Sequence, residues 1–260
     1  MYDFLIVGQG LAGSVLGYYL YKKNLSFFVI NKESYSSPSK VSSGIYNPVS
    51  LRRLSLAWKV EEQLSELNKF IKNFEKDLNV SIYQDIKVYR RFSDIYEQNQ
   101  WLEFSSKPLF KNFLGEIEEL FEDNIYTPFN IASVNQSGRL LVSKLLSTFK
   151  KKIKNEQIIL NKKFDFDKLI IKGSKVVYEN ITARNIVFCE GPLVIHNPFF
   201  NYLPFALTKG ELLEINSELN LDKIINSHIF ILPKGNDKYI IGSTYNWSQK
   251  DALPSFTFKP

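Results

Sequence analysis

The chain has 260 residues, 44% of them hydrophobic and 23% charged, the composition of a globular protein that can bury a core in one large or two modest domains. Its net charge of +6 comes from scattered lysines, and the one run, Lys150-Lys151-Lys152, closes a predicted helix where cations suit the dipole, which speaks against a nucleic-acid partner. The single cysteine, Cys189, excludes an intramolecular disulfide and a Cys-based zinc site; with no signal-peptide pattern and no apolar run of membrane-spanning length, the expectation is a cytoplasmic protein with no metal and no membrane partner.

The apolar run Asp3-Phe4-Leu5-Ile6-Val7 predicts a strand that stops at Gly8-x-Gly10-x-x-Gly13. An amphipathic helix is expected over residues 12–23, ending in Lys22-Lys23-Asn24, and a second strand over 27–30. This strand-turn-helix-strand unit is suited to a dinucleotide pyrophosphate. Gly8 permits the sharp turn, Gly10 removes a Cβ from the path of a phosphate, and Gly13 lets the helix pack on the sheet. The helix N-terminus then offers free N–H groups to the anion. A carboxylate usually closes the second strand to accept ribose hydroxyls; here that place holds Asn31, followed by Lys32 and Glu33. An amide can still bond a hydroxyl, without the charge.

Residues 34–53 read as a polar loop. Its Ser and Pro content fits a surface linker, whereas Ser42-Ser43-Gly44 followed by Ile45 and Tyr46 fits close approach of the backbone to a ligand. From 54 to 78, Ala57, Val60, Leu64, Leu67, Ile71, Phe74 and Leu78 recur at spacings of three and four, which predicts one long amphipathic helix on a core. After it the texture shortens: a strand over 86–89, a helix over 96–104, and Phe110, Phe113, Leu120 and Phe121 among charges, an insertion that builds a second domain. A helix is expected to open near Ser137-Gly138 and to run to the lysines. Strands follow at 158–160, 164–166, 168–171 and 175–178, and Ala183 to Glu190 forms another that ends at Gly191. The last third alternates as an antiparallel meander over 207–215, 229–233 and 239–245.

Several of these landmarks, in this order, resemble the FAD-dependent oxidoreductases of the D-amino-acid oxidase type, with glycine oxidase and sarcosine oxidase as familiar members. The resemblance rests on Gly8-x-Gly10-x-x-Gly13, Val41-Ser42-Ser43-Gly44-Ile45, Ile186-Val187-Phe188-Cys189-Glu190-Gly191, Thr208-Lys209-Gly210-Glu211, and Ile231-Leu232-Pro233 followed by Ile241-Gly242-Ser243-Thr244. It implies an α/β fold: a Rossmann-like FAD-binding domain, discontinuous over 1–79 and 137–197, and an α+β substrate domain with an antiparallel sheet over 80–136 and 198–260. It implies that Gly8, Gly10, Leu11, Ala12 and Gly13 hold the FAD pyrophosphate and that Asn31 and Lys32 lie by the adenosine ribose. Ser42, Ser43, Gly44 and Ile45 would approach the pyrophosphate and ring system, Phe164 the adenine, and Cys189, Glu190 and Gly191 the cofactor from the second strand end. Phe230 and Tyr46 are the substrate-facing candidates, and the substrate is expected to be a small amine or amino acid, with a homo-oligomer possible. Family members continue past the place of Pro260, through segments that complete the FAD domain and supply a substrate-binding arginine, so the resemblance implies a chain lacking that C-terminal segment.

Amine oxidation by flavin needs orientation and exclusion of water from the protein, and no acid–base pair need stand out in the sequence. None does: His196 and His228 have no partner at motif spacing, and Cys189 reads as a small buried filler. Two other readings stand beside the oxidase, a flavoenzyme acting on a modified tRNA nucleoside and a non-catalytic FAD-binding or interaction module.

Overall fold

The computed structural model describes residues 1–34, 37–119, 125–248 and 253–255; Tyr35, Ser36, Leu120, Phe121 and the stretch 256–260 of the expected segments lie outside them. Strand Tyr2–Val7 pairs in parallel with Phe27–Ile30 on one side and with Ile181–Phe188 on the other. Ile159–Leu160 extends the parallel set beyond Phe27–Ile30, and the antiparallel strands Lys175–Tyr178 and Leu169–Lys172 finish the sheet beyond Ile181–Phe188. The chain thus leaves the opening strand in one direction and later returns to its other flank. That reversal makes the end of Tyr2–Val7 the switch point of the sheet, where such folds leave a crevice.

Both faces of the parallel strands are apolar because both are covered. Ile6 and Val29 point to the side where helices Leu11–Lys22, Val60–Leu78 and Val142–Asn155 pack, through Tyr18, Phe74 and Phe149. Leu5, Val7 and Ile30 point the other way, onto Phe164, Val176 and Tyr178. In Val142–Asn155 the buried residues are Val142, Leu145, Leu146, Phe149 and Ile153, a single stripe at helical spacing, with lysines on the solvent side.

A seven-stranded sheet forms the second layer, in the order Leu212–Asn216, Lys238–Gly242, Phe230–Gly235, Ile224–Asn226, Val88–Arg91, Ile131–Val134, Leu114–Glu118. All its pairings are antiparallel except Ile224–Asn226 with Val88–Arg91. Helix Ile95–Ser105 packs on it through buried Trp101, whose indole N–H donates to the Gly115 carbonyl at 2.9 Å. Asp94 caps that helix by accepting from the Glu97 amide at 2.8 Å.

Three elements depart from the sequence expectation. The long helix begins at Val60 rather than Leu54. Residues Ser55–Leu56 instead pair with Val49–Ser50, and the Ala57 amide reaches the Pro48 carbonyl at 2.9 Å. The backbone there has found local partners, so the apolar spacing has no free donors to turn into helix. Near Ser137-Gly138 there is no helix start: Gly138–Leu140 is the central strand of a three-stranded sheet between Ile45–Tyr46 and Tyr83–Gln84, and the helix opens at Val142. Buried Ser137 holds the turn before that strand, accepting from the Val88 amide at 2.9 Å and donating to the Val134 carbonyl at 2.6 Å. The expected strand over 164–166 is a loop leading into the 3-10 turn Phe166–Lys168, with Phe164 stacked on Tyr178 at 4.4 Å.

Candidate functional site

The four parallel strands end on one edge, and three of those ends carry residues singled out from sequence. Val7 leads into Gly8, Gly10 and Gly13; Ile30 into Asn31 and exposed Lys32; Phe188 into Cys189, Glu190 and Gly191. The edge is tied together by backbone bonds: the Gly8 amide donates to the Ile30 carbonyl at 2.8 Å and the Cys189 amide to the Val7 carbonyl at 2.7 Å.

The glycine turn leaves no room for a side chain at positions 8 and 13. Gly8 has φ +100°, and a Cβ there would stand 2.4 Å from the Cys189 carbonyl oxygen; at Gly13 it would stand 2.0 Å from the Gly8 carbonyl oxygen. Only glycine can make this turn and keep the helix so close to the sheet. The helix is entered from Gly10 without a side-chain cap. The Leu11 amide donates to Ser39 Oγ at 3.1 Å, while the amides of Ala12 and Gly13 meet no acceptor among the described residues. Free N–H groups at the positive end of a helix, reached past a residue without a side chain, form a cradle for an anion. These residues fit a dinucleotide pyrophosphate.

Asn31 has a second task. Its Oδ1 accepts the Gln9 amide at 2.9 Å, and Gln9 is buried, donating through Nε2 to Ser14 Oγ at 2.8 Å and to the Leu146 carbonyl at 3.2 Å. The amide in place of a carboxylate therefore holds the glycine turn to the second strand.

Loop 42–45 is joined to the glycine turn through Ser39. Ser39 precedes it in the short helix Pro38–Val41. Gly44 adopts φ +75°, and a Cβ there would lie 1.9 Å from the Leu140 carbonyl oxygen. The Leu140 amide donates to the Gly44 carbonyl at 2.9 Å, and Arg139 Nε donates to the Ser43 carbonyl at 3.0 Å. Ile45, Tyr46 and Phe230 then pack against one apolar cluster, the core of the seven-stranded sheet. The loop thus bridges the glycine turn and the substrate-facing candidates. The ring of Phe164 is buried in a cluster that also holds Val7 and Ile30, the last residues of the first two strands, with Phe166, Tyr178 and Phe188 around it.

On the far strand end, burial pushes the Cys189 thiol up, with the Glu190 charge adding to it, and burial pushes the Glu190 carboxyl up. Glu190 Oε2 accepts from Nδ2 of Asn197 at 2.6 Å, and Asn197 is 0% exposed. Burial also raises the Tyr46 phenol. No cluster of His, Cys, Asp or Glu among the described residues is placed to hold a metal ion.

Sequence reasoning missed Ser39, Arg139 and Asn197. Ser39 carried a faint signal, a hydroxyl in a small-residue stretch ahead of the loop. Arg139 and Asn197 carried none: the Ser43 carbonyl lies 96 positions from Arg139 in the sequence, and Asn197, 7 positions from Glu190, belongs to no motif.

The fold recurs in solved structures. The chain is similar to glycine oxidase from Geobacillus kaustophilus, with a TM-score of 0.77 at 16% identity over 96% of this chain and 73% of that one. Iminodiacetate oxidase from Chelativorans sp. BNC1 gives 0.77 at 12% identity over 97% and 74%. L-proline dehydrogenase from P. horikoshii gives 0.71 at 12% identity over 100% and 72%. No family model matches the chain. At these identities the likeness shows a common fold.

Proposed function

We propose that this chain, which has the fold of glycine oxidase, iminodiacetate oxidase and L-proline dehydrogenase, binds FAD along the carboxyl edge of its parallel sheet and oxidises a small amine or amino acid. The observation that carries this reading is the glycine turn: Gly8 and Gly13 with no space for a Cβ, and the Ala12 and Gly13 amides without acceptors at a helix N-terminus. NAD would use the same turn. FAD is favoured by loop 42–45, joined to the glycine turn through Ser39, and by the turn Cys189-Glu190-Gly191 at the neighbouring strand end, segments to which the family resemblance gives cofactor contacts.

In this reading Ala12 and Gly13 hold the pyrophosphate through their amides, Gly8, Gly10 and Leu11 shape the turn around it, and Asn31 and Lys32 flank the ribose. Loop 42–45 orients the ring system. Ile45, Tyr46 and Phe230 shield the reacting centre from water and place the substrate carbon. When bound, FAD supplies the hydride acceptor, so the protein needs no nucleophile of its own. Residues 1–79 and 137–197 then serve the cofactor, and 80–136 with 198–260 the substrate.

The test is the visible spectrum of the purified chain, followed by anaerobic addition of glycine, sarcosine and proline. Oxidised-flavin absorbance that one of these bleaches is expected. A colourless protein that takes up no added FAD overturns the reading, and flavin that no amine reduces leaves a binding protein without the activity.

A further inference from the structure

Arg139 stands out among the cations near the site. It lies at the centre of the three-stranded sheet, with Ile45 across from it on one side and Gln84 on the other. Its side chain reaches to both sides as well: Nε donates to the Ser43 carbonyl at 3.0 Å and Nη1 to Gln84 Oε1 at 3.1 Å. Both acceptors are neutral. Two other cations with little exposure are each set against a carboxylate, Arg90 against Glu97 and Lys209 against Glu211, whereas Arg139 has no carboxylate within ion-pair distance among the described residues. Burial alone pulls the guanidinium down from its ordinary value. A half-buried charge without a counter-ion is unfavourable, and a bound anion relieves it.

The place of this charge is informative. Ser43 and Gly44 follow Ser39, which touches the helix N-terminus at Leu11, and precede Ile45, which packs against the same apolar core as Phe230. The guanidinium therefore fastens the middle of the loop that runs from the glycine turn to the substrate-facing residues. A strand of three residues, Gly138–Leu140, is short for holding such a loop by backbone bonds alone, and the guanidinium adds one bond to the loop at Ser43 while Gln84 on the opposite strand holds its other arm.

We propose that Arg139 is a positioning residue for the cofactor: it sets loop 42–45 through the Ser43 carbonyl and carries the positive charge that the bound flavin nucleotide compensates. This rests on the FAD reading above. It gives the guanidinium two separable roles, a fork that holds the loop and a charge that favours the reduced, more negatively charged cofactor.

Arg139→Gln removes both roles, and Arg139→Lys keeps the charge while losing the fork. Three quantities are measured on the purified 260-residue chain: the FAD dissociation constant by absorbance titration, the midpoint potential of the bound flavin, and the melting temperature without FAD. The Gln variant is expected to bind FAD roughly ten- to a hundredfold more weakly, the worth of one hydrogen bond to a charged group, and to show a more negative potential. The Lys variant is expected to bind weakly but to keep the wild-type potential. If the Gln variant does not fold, the Lys variant decides alone by the same split. A wild-type chain that binds FAD while Arg139→Gln matches it in affinity and potential overturns this inference and leaves the FAD reading intact. A Lys variant whose potential falls as well overturns the charge role. A wild-type chain that takes up no FAD overturns the FAD reading, and this inference with it.

Discussion

A methyl group at position 13 has nowhere to go, since its ideal place is 2.0 Å from a backbone oxygen of Gly8. Gly13→Ala must push the helix off the strand, and we expect it to cost about 1–3 kcal/mol in urea unfolding and to abolish flavin retention on gel filtration. Retained flavin with unchanged stability would contradict the tight turn. Glu190 makes a different kind of prediction. Its carboxyl is raised by burial, so the folded state holds a proton that the unfolded state has already released once pH exceeds the ordinary glutamate value. Stability from this group therefore falls as pH rises from that ordinary value through the raised one. Glu190→Gln removes the titration while leaving an oxygen for Asn197. The variant should lose less stability than the wild type between mildly acidic and neutral pH, and parallel pH profiles in urea unfolding would rule the assignment out. At this scale the glycines were legible in the sequence because each acts on its immediate neighbours. The Glu190 environment was not, because the burial of Asn197 and the partial burial of the carboxyl are products of folding.

The elements follow the sequence where one face is wholly apolar. The stripe of Val142, Leu145, Leu146, Phe149 and Ile153 specifies both a helix and the side it buries. Phe149 meets the opening helix where it has no side chain: a Cβ on Gly17 would come within 2.9 Å of the Phe149 ring. Phe149→Ala leaves a cavity at that contact and is expected to cost about 3–5 kcal/mol in urea unfolding; a loss under 1 kcal/mol would mean that the two helices close the gap by moving together. Periodicity misled at Leu54 and at Ser137-Gly138. In both places short backbone pairings won, Val49–Ser50 with Ser55–Leu56 and Gly138–Leu140 with two distant strands. Pieces this short show no readable alternation, and they persist because tertiary partners supply their hydrogen bonds.

For the whole molecule the cofactor is a stability term as well as a reagent. If FAD binds only the folded state, FAD at about a hundred times its dissociation constant adds about 2.7 kcal/mol. The melting temperature should rise with FAD in the wild type and stay flat in Gly13→Ala, and equal shifts in both would place the cofactor away from the glycine turn. The sheets also show that chain segments and layers do not coincide. The seven-stranded sheet joins strands from 88–134 to strands from 212–242, and its seam is the parallel pair Val88–Arg91 with Ile224–Asn226. By itself the sequence determined the opening strand-turn-helix-strand unit, its glycine turn and the two classes of sheet, because glycine spacing, apolar runs and short connections act between near neighbours. Only the tertiary structure decided that Ile181–Phe188 flanks Tyr2–Val7, that Asn31 secures Gln9, and that Arg139 grips the Ser43 carbonyl. An alternating apolar run states that a strand exists and which face it buries, but not which distant strand it will pair with; that choice is made by complementary side chains meeting after the chain has closed its loops.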